Sequence, residues 1–181
     1  MERTRDARGI TIYELMLVVV MIAILSALAW PRLDFQRYRV NSDARGMSMT
    51  LLGAQRLAVS LQHNVVVTVD PATGHVATHE DRNNDGIYTA DERVRGFQLS
   101  AGVVFARNGA PDLPAPAATD EINRVTFARD GSASPAGVIF LNTKRGVGGG
   151  ENEDARAIEI ARATGRATWY SYTGREWSRG T

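Results

Sequence analysis

The chain has 181 residues, room for one domain with an appendage. Its formal net charge of +1 supplies no global field towards nucleic acid or an anionic surface. It has no cysteine, which excludes disulfides, thiolate catalysis and Cys-ligated zinc, and its 17 glycines point to the many turns of a β-rich domain.

Residues 1–9 are short and polar, with Arg3, Arg5 and Arg8 set against Glu2 and Asp6. Residues 15–30 then carry a single polar side chain, Ser26. Counted from Ile10, the segment to Trp30 is 21 residues, which as a helix spans about 30 Å, one hydrocarbon thickness. The arginines precede it, so the start is expected to stay cytoplasmic and the rest to be exported. Three readings fit: a plain transmembrane anchor, a secretory signal cut at the small-x-small run Ala27-Leu28-Ala29, and a prepilin signal. One residue stands out. Glu14 puts a carboxylate into apolar surroundings, at a cost of a few kcal/mol, and such a group is usually there for a partner. In the first turn of a helix it also meets the favourable end of the dipole.

The order "RG" then "ITIYELMLVVVMIAILSALAWP" resembles the type IV pilin family and its relatives. The resemblance implies that Gly9 is the cleavage-site glycine for a prepilin peptidase and that Ile10 becomes the new, methylated N-terminus. Thr11 then holds the second position, Glu14 the fifth, and Pro31 that of the helix-bending proline. Glu14 is implied to pair with the terminal amine of a neighbouring subunit during assembly. The chain departs from the pattern at Ile10, usually Phe or Met, and at Tyr13, usually Ile.

Beyond the apolar run, Met47, Leu51, Ala54, Ala58 and Leu61 recur at helical spacing, with Arg45 and Arg56 off that stripe. The expectation is a helix continuing over residues 31–62, bent or loosened at Pro31 and Gly46, its stripe buried against a head domain. As one helix, residues 10–61 would span about 78 Å.

After His63 the period changes to that of strands. "NVVVTVD", the turn "PATG" and "HVATH" form a hairpin. Further strands are expected at "RVRGFQL", "VVFA", "RVTFA", "GVIFLN", "RAIEIARA" and "RATWYSY", with no helix among them. The fold class is therefore α+β, a long N-terminal helix packed on an antiparallel, sandwich-like head spanning residues 63–181. The phrases "VTFARDGSASPAGVIFL" and "ARAIEIARATGRATWY" resemble the heads of GspH/FimT-type minor pseudopilins. The resemblance is carried by residues 8–31 and 125–168.

Four stretches are candidate sites. "DRNNDGIYTADE" has the spacing of an EF-hand-type calcium loop, with Asp81, Asn83, Asp85, Thr89 and Glu92 at ligand positions and Gly86 at the turn. The same residues also make an Asx-rich turn in which side chains cap their own backbone. His75 and His79 would lie about 13 Å apart on a strand, too far for one metal, and read as surface histidines. "GVGGG" lacks the Lys-Ser/Thr ending of a phosphate loop and reads as a Gly-rich hairpin connection. Near the C-terminus, Arg166, Arg175 and Arg179 interleave with Trp169, Tyr170, Tyr172 and Trp177, a composition able to hold a nucleic-acid backbone and stack bases. The FimT-type branch is associated with DNA uptake through a basic "GR.R" stretch. Here Thr168 stands at its second basic position.

No enzyme constellation is present: there is no nucleophile elbow and no "HExxH". The sequence reads as a minor pseudopilin or pilin, with a leader over residues 1–9, an inner-membrane helix over residues 10–30 and a periplasmic head. Its expected partners are the prepilin peptidase and other pilin-like subunits of a type II secretion pseudopilus or a type IV pilus. The alternative is a DNA-binding minor pilin for natural transformation.

Overall fold

A computed structural model of the chain describes residues 10–29, 35–150 and 152–180. Residues 10–35 and residues 36–181 form two compact units, taken in turn below.

In the first unit, α1 (Ile12–Ala29) is an 18-residue helix. Thr11 opens it: its hydroxyl accepts the Glu14 backbone N–H at 3.2 Å, and its carbonyl accepts the first helical bond, from Leu15 N–H. Every large apolar side chain given for α1 is exposed, from Val18 at 49 % to Tyr13 at 81 %. Among the described residues no helix is long and apolar enough to cross a membrane. Eighteen residues rise about 27 Å, slightly less than a hydrocarbon core of about 30 Å. Gly9, Trp30 and Pro31 lie outside the described residues, as does the expected join between the two helical segments.

The second unit begins at Gln36, inside α2 (Phe35–Leu61). Val40, Ala44, Met47, Leu51, Ala54 and Ala58 repeat at intervals of four and three residues, and all are buried. The expected stripe extends two turns further towards the N-terminus, to Val40. It stops before Leu61, which is 42 % exposed because the chain leaves the helix at Gln62, in the left-handed region with φ 59°.

Among the described residues ten strands follow: β1 (Asn64–Asp70), β2 (His75–Asp81), β3 (Val94–Gln98), β4 (Val103–Val104), β5 (Arg124–Phe127), β6 (Ala133–Ser134), β7 (Gly137–Thr143), β8 (Arg156–Ile160), β9 (Ala167–Tyr172) and β10 (Trp177–Arg179). They form two five-stranded sheets, β3-β2-β1-β5-β6 and β10-β9-β8-β7-β4, with antiparallel ladders throughout. A lone parallel bridge joins Glu121 to Val138. Alternation on the strands aims Val65, Val67, Val125 and Phe127 of the first sheet, and Ile139, Leu141, Ile158 and Ile160 of the second, into one core. The buried face of α2 fills that same core. The α+β architecture read from the sequence, a helix packed on antiparallel sheets, is thus what the head shows.

A further expectation fails after β7. The Gly-rich segment after β7 is a short helix, α3 (Lys144–Gly149), where a hairpin connection was expected. Thr143 caps it by accepting Gly146 N–H at 2.9 Å, and Gly150 closes it in the left-handed region.

The two phrases that resemble pseudopilin heads meet in space. Gln55 on α2 donates from Nε2 to the carbonyls of Thr164, at 2.6 Å, and Gly131, at 3.4 Å. Gly165 is buried with φ +58°, and a Cβ there would strike the Gly131 carbonyl. Only glycine satisfies both demands.

Candidate functional site

The N-terminal site is built by local chemistry. Thr11, Ile12, Tyr13 and Glu14 spell Thr-x-x-Glu at the start of a helix, a capping box. The half seen directly is Thr11 Oγ1 accepting from Glu14 N–H. Glu14 therefore sits at the third helical position, in the first turn, with an exposed side chain. This capping role was legible in the motif and is additional to the assembly role that the resemblance implies. Ile10 is 75 % exposed just ahead of the helix.

The loop over residues 81–92 is tightly organised by its own side chains. Asp81, fully buried, accepts the N–H of Asp85 at 3.1 Å and of Gly86 at 2.9 Å. Asn83 Oδ1 accepts from Asp85 N–H, and Asp85 Oδ1 from Ile87 N–H. Glu92, at the other end, takes the N–H of Arg82 on one oxygen and of Thr89 on the other, at 2.9 and 3.0 Å. The Thr89 hydroxyl bonds Asp91 and, with Asp91's own backbone N–H, holds that carboxyl below its usual range. Among the described residues, no group of three or more acidic or histidine side chains is placed to hold a metal ion. The oxygens at EF-hand spacing cap backbone N–H groups, and Gly86 takes φ +74° as the turn requires.

The same loop folds back over the first sheet. Arg124 donates from Nη2 to the Gly86 carbonyl, and the Tyr88 ring meets His79 edge-on, with centroids 6.3 Å apart. His79 is consequently buried, not a surface histidine, and its Nε2 has no hydrogen-bond partner among the described residues. His75 remains exposed.

The C-terminal aromatics are committed to packing. Trp169 faces the core, with the Arg45 guanidinium 5.6 Å from its ring centre. Trp177 stacks against Phe140 and Tyr172, at 6.2 and 5.1 Å between centroids, and donates from Nε1 to the Pro111 carbonyl. Tyr170 donates its hydroxyl to Glu159 at 3.1 Å. Burial and that hydrogen bond raise its phenol above the ordinary value, against the opposing pull of Arg179 and Arg166. Arg166, Arg175 and Arg179 themselves are exposed, as an open basic rim beside aromatics whose faces are already used.

No protein-family model matches the chain, and no curated protein matches it. Solved structures do. The minor pseudopilin EpsH from the type 2 secretion system of Vibrio cholerae superposes with a TM-score of 0.50 at 12 % identity, covering 74 % of this chain and 97 % of that one. The type IV minor pilin FimU of Pseudomonas aeruginosa gives a TM-score of 0.48 at 15 % identity, over 79 % of this chain and 95 % of that one. A second crystal structure of the Vibrio cholerae protein gives 0.41 at 12 % identity, over 79 % and 94 %. At these identities the likeness is one of fold, and the fold is that of a minor pseudopilin.

Proposed function

We propose that the chain is a structural subunit, a minor pseudopilin or minor pilin, assembled into a filament through its N-terminal helix. The observation that carries this reading is α1 itself: an apolar helix exposed along its described length, with one carboxylate in a Thr-capped first turn, preceding a pilin-like head. An apolar surface of that extent needs a cover, and lipid followed by neighbouring apolar helices supplies it in turn. In this reading the helix over residues 10–30 holds the subunit in the inner membrane, with the head in the periplasm. A prepilin peptidase cuts after Gly9 and methylates the Ile10 amine. Glu14 then meets the terminal amine of the adjacent subunit in a low-dielectric setting, where a charge pair is far stronger than in water. The packing of Trp169, Tyr170, Tyr172 and Trp177 favours this role over base stacking on DNA.

The test is the N-terminal mass of the membrane-bound form. The expected fragment begins at Ile10 and carries one methyl group. A chain beginning at Trp30 would mean ordinary signal cleavage and would remove the reading.

A further inference from the structure

β3 is the outermost strand of its sheet, with β2 as its one neighbour. Glu80 N–H bonds the Arg93 carbonyl, and Leu99 N–H bonds the Gly74 carbonyl, each at 3.0 Å. Those two pairs fix the alternation of the ladder between them. Arg95 and Phe97 turn their backbone groups towards β2, and Val94, Gly96 and Gln98 turn theirs to the free edge. Alongside lies a groove of about 300 Å³ between β3 and α2. Gly53, Ala54 and Leu57 of α2 form one wall, and Arg95 and Phe97 of β3 the other. Two features mark it as more than a crease. No atom lies within 4 Å of where a Gly53 Cβ would sit. Thr78, only 9 % exposed, lines the groove with a buried hydroxyl that has no hydrogen-bond partner among the described residues.

The charge of the groove states what fits it. Arg93 and Arg95 are exposed, and neither has an ion-pair partner among the described residues. Basic side chains on an edge strand deter pairing with a neutral or basic strand, and admit an acidic one. We propose that this edge receives an extended peptide segment of a partner protein, which adds to β3 as a sixth strand and carries acidic residues and a small apolar residue at every second position, on one face. Its backbone pairs with Val94, Gly96 and Gln98. Arg93, Arg95 and Phe97 share one face of β3 by alternation, so the peptide's carboxylates lie opposite Arg93 and Arg95, and its apolar side chain, opposite Phe97, enters the groove against Ala54 and Leu57. The proposal is independent of the filament reading, because it concerns the head alone.

The test uses the full chain in nanodiscs and the peptide fluorescein-Val-Ser-Glu-Ser-Glu-Ser-amide, whose valine and glutamates share one face, followed by anisotropy and by NMR hydrogen exchange. The expected result is saturable binding with slowed exchange at the Val94, Gly96 and Gln98 amides. Gly53→Leu, whose side chain grows into open space and leaves the fold intact, should weaken binding on the order of tenfold, and Arg95→Glu should do the same. Equal binding by a peptide with serine in place of valine would reduce the effect to charge alone and overturn the proposal. So would unchanged exchange at the three edge amides, or displacement by an amphipathic helical peptide of the same charge. Concentration-dependent self-association that blocks the peptide would instead assign the edge to a second copy of this chain, and also overturns it.

Discussion

Arg156 heads the fully buried side chains by volume, and its charge is held by geometry. Its Nε donates to Asn41 Oδ1 at 2.6 Å, and its Nη1 to the carbonyls of Ala155 and Glu153 at 2.8 and 3.1 Å. Burial lowers its pKa to about 10; the like charge of Arg37 adds to that, and Asp154 opposes it. The folded value lies below the unfolded one, so the burial cost is present at every pH below about 10 and is relieved only as pH rises beyond it. At neutral pH the guanidinium is charged, and its hydrogen bonds offset that cost. Arg156→Met should therefore destabilise the chain by about 3 kcal/mol in urea unfolding, because it takes the donor from Asn41 Oδ1 and the Glu153 carbonyl and leaves the Ala155 carbonyl with Tyr172 N–H alone. Arg156→Lys should recover only part of the loss, since an ammonium cannot reproduce the planar fork. Unchanged stability in the methionine variant would show that water replaces the donors. Nothing local announced this pair. Asn41 and Arg156 lie 115 residues apart, and their meeting is a consequence of how α2 crosses β8.

At the level of elements, the strands that were legible are those whose pattern is their own. β1 is read to the residue because five of its seven side chains are β-branched and a turn follows. β6 and β10, at two and three residues, exist through their neighbours and leave no period to read. The helix α3 was hidden by composition, since three of its six residues are glycine and glycine disfavours helices by about 1 kcal/mol each. What overrides that cost is Thr143 at the start and Gly150 at the end, signals that carry weight only once the strand before them is placed. The loop over residues 81–92 shows the converse limit. Linear spacing put five oxygen-bearing side chains at loop positions one, three, five, nine and twelve, but it could not say whether they turn to an ion or to the backbone. In the fold Asp81 and Glu92 each accept two backbone N–H groups. Millimolar calcium, and equally a chelator, should leave the melting temperature of the chain unmoved. A rise of several degrees with calcium would mean that the loop trades these backbone bonds for metal ligands, as a twelve-residue calcium loop does.

At the scale of the whole molecule, two units divide the work: a head whose core is closed by α2, and an apolar helix whose sides are open. The head was legible because a helical stripe and many short strands leave few ways to bury both. The role of Glu14 was half legible, because its pairing was implied by resemblance whereas its place in a capping box was written in the residues. These two roles make opposite demands on one substitution. A capping box accepts Gln as well as Glu at the third helical position, since either side chain can receive the N-cap N–H. A partner amine requires the negative charge. Glu14→Ala should leave the amount of chain in the membrane fraction unchanged, since it removes a polar group from an apolar segment. It should lower the amount recovered in the sheared filament fraction about tenfold or more, the effect of losing some 1.4 kcal/mol or more of binding. Glu14→Gln separates the two roles. If the charge sets the neighbour, Gln fails as Ala does; if the cap is what matters, Gln assembles normally while Ala does not. Normal assembly by both variants would leave Glu14 a tolerated residue at the start of α1, and would remove the carboxylate from the assembly mechanism.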